Sequence, residues 1–288
     1  MNCKLQQTNK IVVFDMDETL GYFVELGMFW DALIGYIKNK NINIKIDQSL
    51  FNKILDLYPE FLRPNIIGIL NYLKKKKETN NCHKLMIYTN NQGPEEWAQY
   101  IIKYFEEKIN YKLFDQIIAA FKVQGKHVEL CRTTHMKTHR DLLKCTNIPD
   151  ETKICFLDDV FYPGMSNENI YYINIKPYIY NLKFDEMINR LEKSGIFVGD
   201  PTSCRAYILS FLKKYTYIYV GKTSQSQNID KILSKQILNH LHIFFNSFSK
   251  PPNKNNKTIT NKNKIFNEGS KHKKTNNRTK KVKKIKNI

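Results

Sequence analysis

Two apolar runs end in paired carboxylates: Ile11-Val12-Val13-Phe14 runs into Asp15-Met16-Asp17, and Ile154-Cys155-Phe156-Leu157 runs into Asp158-Asp159. A strand with four successive apolar residues is buried on both faces, which belongs to a parallel sheet covered by helices. In open sheets of that kind, ligands collect beyond the strands' carboxyl ends. Asp15 and Asp17 stand two residues apart in an extended segment, so both side chains point the same way. Carboxylates crowded at one edge repel one another unless a proton or cation sits among them, and an all-oxygen donor set suits Mg2+. A plain turn at a strand end would also show an Asp-x-Asp or Asp-Asp pair, so neither pair is specific alone.

A third buried strand, Lys84-Leu85-Met86-Ile87-Tyr88-Thr89, leads into Asn90-Asn91-Gln92-Gly93-Pro94 and then a helix with Trp97, Ile101, Ile102 and Phe105 on one face. A hydroxyl, loop N–H groups and a helix start converge there as an anion site. Helical spacing also predicts a helix over 23–38 and a second one capped by Asp47, with Leu50, Phe51, Ile54 and Leu55 as its stripe. A further helix starts after Leu62-Arg63-Pro64-Asn65 and ends in Lys74 to Lys77, where cations oppose the dipole. Strands are expected over 114–122, with Gln124-Gly125 as a turn, and over 169–175, followed by a helix over 182–191. Beyond Gly195 the spacing predicts two helices, 203–214 and 229–248, around a short aromatic strand at Tyr217-Ile218-Tyr219-Val220.

The formal charge of +19 is uneven. From Lys250 to Ile288 thirteen Lys and one Arg face a single Glu, and apolar residues are scarce. Such a tail is expected to be disordered and to attract polyanions such as nucleic acid. Six scattered cysteines (Cys3, Cys82, Cys131, Cys145, Cys155, Cys204) and a polar amino terminus without a signal-peptide pattern imply free thiols in an intracellular protein, cytoplasmic or nuclear rather than secreted. No apolar run reaches the length of a membrane span. His135 and His139 stand at i,i+4 between Cys131 and Cys145, but the four match no compact zinc pattern.

Taken together and in order, DMDETL at 15–20, Thr89 after its strand and Asp158-Asp159 resemble the motifs of haloacid-dehalogenase-like phosphohydrolases. DMDETL is similar to the DLDETL of the FCP/SCP-like (NLI-interacting-factor-like) protein phosphatases, in a version resembling those of large DNA viruses, and Leu62-Arg63-Pro64 is similar to a segment of that branch. TNNQG at 89–93 departs from it, looking more like the TNQxG of phosphatases acting on small esters or DNA 3′-phosphates.

The resemblance implies an α/β, three-layer Rossmannoid fold with a central parallel sheet in residues 1–195. It also implies a small cap formed by the helices after Gly21, which would leave an open cleft. A mainly helical extension over 196–249 and the basic tail over 250–288 lie beyond it. It further implies Mg2+-dependent hydrolysis of phosphomonoesters, with phosphoserine or phosphothreonine of a protein as the expected substrate and nucleic-acid ends or small esters as the alternative. A non-catalytic binding module fits less well, since every side chain the motifs require is present.

By the same resemblance Asp15 attacks phosphorus, Asp17 moves protons, and Thr89 and a lysine hold the phosphoryl oxygens. Asp15, the Asp17 main-chain carbonyl and Asp158 hold the metal, with Asp159 in support. Lys137, Arg140 and Lys144 are the candidates for the cation; a residue at a helix start on the ligand edge reaches the site more readily than one a turn along, which favours Lys137.

Overall fold

The computed structural model describes residues 9–196, 199–215 and 218–247. Its strands are β1 (Lys10–Phe14), β2 (Lys84–Tyr88), β3 (Gln116–Ile118), the pair β4 (Lys122–Val123) and β5 (Lys126–His127), β6 (Lys153–Asp158) and β7 (Ile170–Asn174). Five of them form one parallel sheet in the order β3-β2-β1-β6-β7, so the two acid-tipped strands are neighbours at its centre. The helices are α1 (Val24–Asn39), α2 (Gln48–Asp56), α3 (Ile66–Glu78), α4 (Glu95–Ile109), α5 (His139–Thr146), α6 (Phe184–Ser194), α7 (Pro201–Leu212) and α8 (Ser224–Ser247).

Alternation along the strands divides the core in two. Val12, Phe14, Leu85, Ile87, Cys155 and Leu157 enter one cluster, and Ile11, Val13, Met86, Tyr88, Ile154 and Phe156 enter the other. Each fully buried aliphatic or Phe side chain contributes about 1.5–3 kcal/mol relative to exposure, so the register of these strands is strongly fixed. The first cluster takes in residues of α1 to α4 and α6 to α8, whereas the second is closed by Leu142 of α5 together with Ile148, Tyr162 and Met165. The register sets Phe14 beside Ile87 on one side and Leu157 on the other, so Asp15, Thr89 and Asp158 emerge at one edge.

Most helices start and stop where the spacing places them, and the Asp47 side chain accepts from Leu50 N at 3.1 Å as the cap of α2. Four expectations change. The stretch 114–122 is not one strand: β3 spans three residues, and the chain then turns into the β4–β5 hairpin with Gln124 and Gly125 at φ +50° and +81°. Two successive positive φ angles suit a tight hairpin turn and break the straight run.

No strand forms at 218–220, where Ile218 and Val220 are 68% and 65% exposed; among the described residues no neighbouring strand takes their main-chain groups, and residues 216 and 217 lie outside the described residues. The two helices expected as a small cap bury Phe29, Trp30, Phe51 and Ile54 in the larger core, with α1 against α7 and α2 against α4.

Finally, Cys131 and Cys145 are bonded to each other across a Cα–Cα distance of 5.1 Å, which corrects the expectation of free thiols. Their separation of 14 residues hides a contact made only when α5 folds back. Cys82, Cys155 and Cys204 are free and buried, as expected. The basic tail over 250–288 lies outside the described residues. Among the described residues no helix is long and apolar enough to cross a membrane.

Candidate active site

At the end of β1 the chain turns sharply. Glu18 sits at φ +58°, its N–H donates to Gly21 O at 2.7 Å, and Leu20 N–H donates to Met16 O at 2.9 Å, while Met16 and Leu20 are fully buried. A Cβ on Gly21 would stand 2.5 Å from Phe61 O, so only glycine fits where the two segments meet. Arg63, 1% exposed, locks the turn from below: Nε donates to Thr19 O and Nη2 to Glu18 O, both at 2.6 Å, with Lys176 O at 3.0 Å. Burial depresses its pKa to about 10, offset only in part by the charges of Asp230 and Asp159, with no carboxylate in ion-pair contact among the described residues. Helix α8 reaches this knot. Lys222 pairs with buried Asp230 of α8 and lies 4.1 Å over the Tyr178 ring, beside which Arg63 stands at 5.5 Å.

Above the turn, Lys137 Nζ lies 2.5 Å from Asp15 Oδ1 and 2.7 Å from Asp158 Oδ2, and neither Lys137 nor Asp158 is more than 1% exposed. The lysine arrives because Thr138 caps α5, accepting from Asp141 N at 3.1 Å, which aims the preceding residue at the sheet edge. Rings of Tyr88, Phe156 and Tyr162 stand 5.4–5.9 Å from Nζ and exclude water around it. Burial alone would pull the lysine's pKa down, but the two carboxylates hold it above its usual value, so it stays charged. Burial raises the pKa of Asp158 despite Lys137, and Val160 N–H donates to its second oxygen at 2.9 Å. Asp17 and Asp159 are each pushed up to about 7, by burial first and by the Asp15 charge second. Asp17 keeps part of its surface open to the cleft while protein packs around the rest of it.

The exit from β2 closes the third side. Thr89 is buried, and its hydroxyl oxygen accepts from Asn91 N–H at 3.0 Å, which leaves the hydroxyl proton to donate. Asn91 Nδ2 donates to Asp17 Oδ2 at 2.8 Å, and Asn91 Oδ1 accepts from Gly93 N–H at the same distance. Arg132, 2% exposed, holds this loop through Thr89 O, Ala119 O, Asn90 Oδ1 and His135 O.

Asp15, Asp17, Thr89, Lys137, Asp158 and Asp159 therefore line one edge, while Arg140 and Lys144 are exposed on α5. Oxygens of Asp15, Asp158 and Asp159 lie within 4.8 Å of one another, a donor set fitting a hard divalent cation such as Mg2+. The Asp17 carboxylate is not in that cluster; it is tied to Asn91. The zinc alternative fails because Cys131 and Cys145 are consumed by their own bond. The anchoring roles of Arg63 and Arg132 and the Asn91–Asp17 bond escape a reading of the sequence, since the guanidiniums bind mostly main-chain carbonyls, with Asn90 Oδ1 as a side-chain acceptor of Arg132. Arg63 is marked in the sequence by the Leu62-Arg63-Pro64 resemblance, which says nothing of the carbonyls it binds. No protein-family model, no curated protein and no solved structure matches the chain.

Proposed function

We propose that this chain is a Mg2+-dependent phosphatase of the haloacid-dehalogenase-like type, acting through an aspartyl phosphate, with phosphoserine or phosphothreonine of a protein as substrate. The observation that supports it most is the buried lysine shared by Asp15 and Asp158 at the point where β1 and β6 end side by side. A cation that deep is held by what surrounds it, and its place beside a carboxylate suits the neutralisation of a phosphoryl group.

In this reading Asp15 attacks phosphorus in line, and the bond to the leaving oxygen breaks as Asp17 gives that oxygen its proton. A pKa of about 7 leaves Asp17 partly protonated at neutral pH, which suits an acid that must then act as a base. Asp17, now ionised, takes a proton from the water that displaces phosphate from Asp15. The Asn91 amide fixes the Asp17 side chain through both steps, and Thr89 and Lys137 bind the transferring oxygens. Asp15, Asp158 and Asp159 would hold Mg2+, which neutralises charge on the phosphoryl group when bound.

Hydrolysis of an aryl phosphate tests the reading. Turnover should require Mg2+, stop with EDTA and vanish in Asp15→Asn with an unchanged circular-dichroism spectrum. Turnover that survives either treatment rejects it. Parallel assays with phosphoserine peptides, 3′-phosphorylated oligonucleotides and small esters rank the substrates, and the TNNQG segment is the sequence feature that keeps the last two in the panel.

A further inference from the structure

A groove of about 610 Å³ begins at Thr89, Asn91 and Gly93, beside the carboxylates, and continues past Ile117 and Gln116 to Phe114. It follows β3, the end strand of the sheet, which pairs with β2 alone among the described residues. The opposite edge of such a strand offers main-chain N–H and C=O groups to an incoming chain. One wall is α4, through Ala98, Gln99 and Ile102; the other is the hairpin and the residues after it, through Val123, Val128 and Glu129. Glu129 also accepts from Ala119 N–H at 3.3 Å, which closes the edge just past β3 and leaves the strand itself open.

We propose that this groove takes the polypeptide beside a phosphorylated residue as an added strand on β3, with the phosphoryl group at Thr89 and Asp15. This rests on the phosphatase reading above and sharpens its substrate. Strand addition draws affinity from main-chain hydrogen bonds and leaves side-chain choice to the walls. Ala98, Ala119 and Ala120 leave room for alternate side chains of the guest, and three residues of β3 offer about 10 Å of edge at roughly 3.3 Å per residue. A nucleic-acid strand needs a cationic track and stacking rings. Here Lys103 shares the lining with Glu106 and Glu129, and the ring in it, Phe114, is 5% exposed. The lining therefore favours a peptide over an oligonucleotide.

The test perturbs the groove from each wall, by bulk with Gln99→Trp on an exposed position of α4 and by charge with Val128→Asp on the opposite side. Against a pooled library of ten-residue peptides with a central phosphoserine, KM should rise about tenfold or more in both variants, while aryl-phosphate turnover stays at the wild-type level and reports an intact site. In the Asp15→Asn protein the same pool should slow amide exchange at residues 116–118. Unchanged KM in both variants, or no slowing of exchange, overturns the proposal. So does a loss confined to 3′-phosphorylated oligonucleotides, which would assign the groove to nucleic acid. Wild-type protein that hydrolyses no phosphoester rejects the phosphatase reading instead. The exchange measurement then decides the groove alone: slowed exchange at 116–118 upholds strand addition, and unchanged exchange rejects it.

Discussion

The two acid pairs look alike as text and differ in the molecule. In each pair the first member, Asp15 or Asp158, is buried against Lys137, whereas the second, Asp17 or Asp159, keeps part of its surface open. The inner acids are held by a fixed positive charge. The outer acids have none in contact, yet that does not sort their titration: burial raises Asp158 despite the lysine, as it raises Asp17 and Asp159, the last two to about 7. Even the outer two are unlike each other: Asp17 is tied to the Asn91 amide, and Asp159 clusters with Asp15 and Asp158 as a candidate cation ligand. Position along a strand end thus sets whether a carboxylate meets the buried lysine, as Asp15 and Asp158 do, or the Asn91 amide, as Asp17 does, though the residue type is the same.

The sharpest way to break this comparison is to remove the shared cation. Lys137→Met leaves two buried carboxylates without their shared cation and should cost about 3–5 kcal/mol in urea unfolding, with turnover down about 10²–10³-fold. Unfolding stability within error of wild type would mean the inner acids do not depend on the lysine.

Next, Asp17→Asn should lower turnover about 10²–10⁴-fold, and more for alkyl phosphates than for aryl phosphates, whose leaving groups need less help from an acid. Equal losses on both would remove Asp17 from proton transfer. Asp159→Asn should instead leave turnover near normal at saturating Mg2+ and raise the Mg2+ concentration at half-activity about 10–100-fold.

The pH dependence of stability follows from Asp17, Asp158 and Asp159. Their folded pKa values lie above the unfolded value, so the folded chain binds more protons between about pH 4 and about pH 7. Metal-free protein should therefore lose stability as pH rises through that window and level off above it, and Mg2+ should flatten the slope. Thermal melts at stepped pH with EDTA or Mg2+ read this directly. A metal-free stability that climbs from pH 4 to 7 contradicts the raised values. The smallest effect belongs to Lys144→Ala, which removes an exposed side chain and should change stability by no more than about 0.5 kcal/mol, with turnover unaltered.

The sheet was legible because β1, β2 and β6 are runs of apolar residues with no helical period, and because their ends carry Asp, Thr and Asp. Lys137 was legible as the candidate nearest the start of α5, a matter of direction rather than composition. The rest fails for identifiable reasons. Residues 114–122 have strand-forming side chains, but whether they pair depends on a neighbour, and only 116–118 find one in the sheet. The Cys131–Cys145 bond depends on α5 folding back, which no spacing encodes. The closing of the β1 turn by Arg63 is invisible because its acceptors are carbonyls, which every residue has.

That turn has a consequence for how the chain can change. Gly21 bridges Leu62, Tyr22 N–H donates to Phe61 O at 2.7 Å, and Arg63 N–H donates to Leu20 O at 3.1 Å, so residues 22 to 60 leave and re-enter through a single closed neck. Extra residues in the exposed link between α1 and α2 leave those neck contacts in place, whereas a change of length within either helix would disturb the core they share with β1. The exposed Asn41, Asn43 and Lys45 mark where such residues could be spliced in with the turn after β1 unaltered.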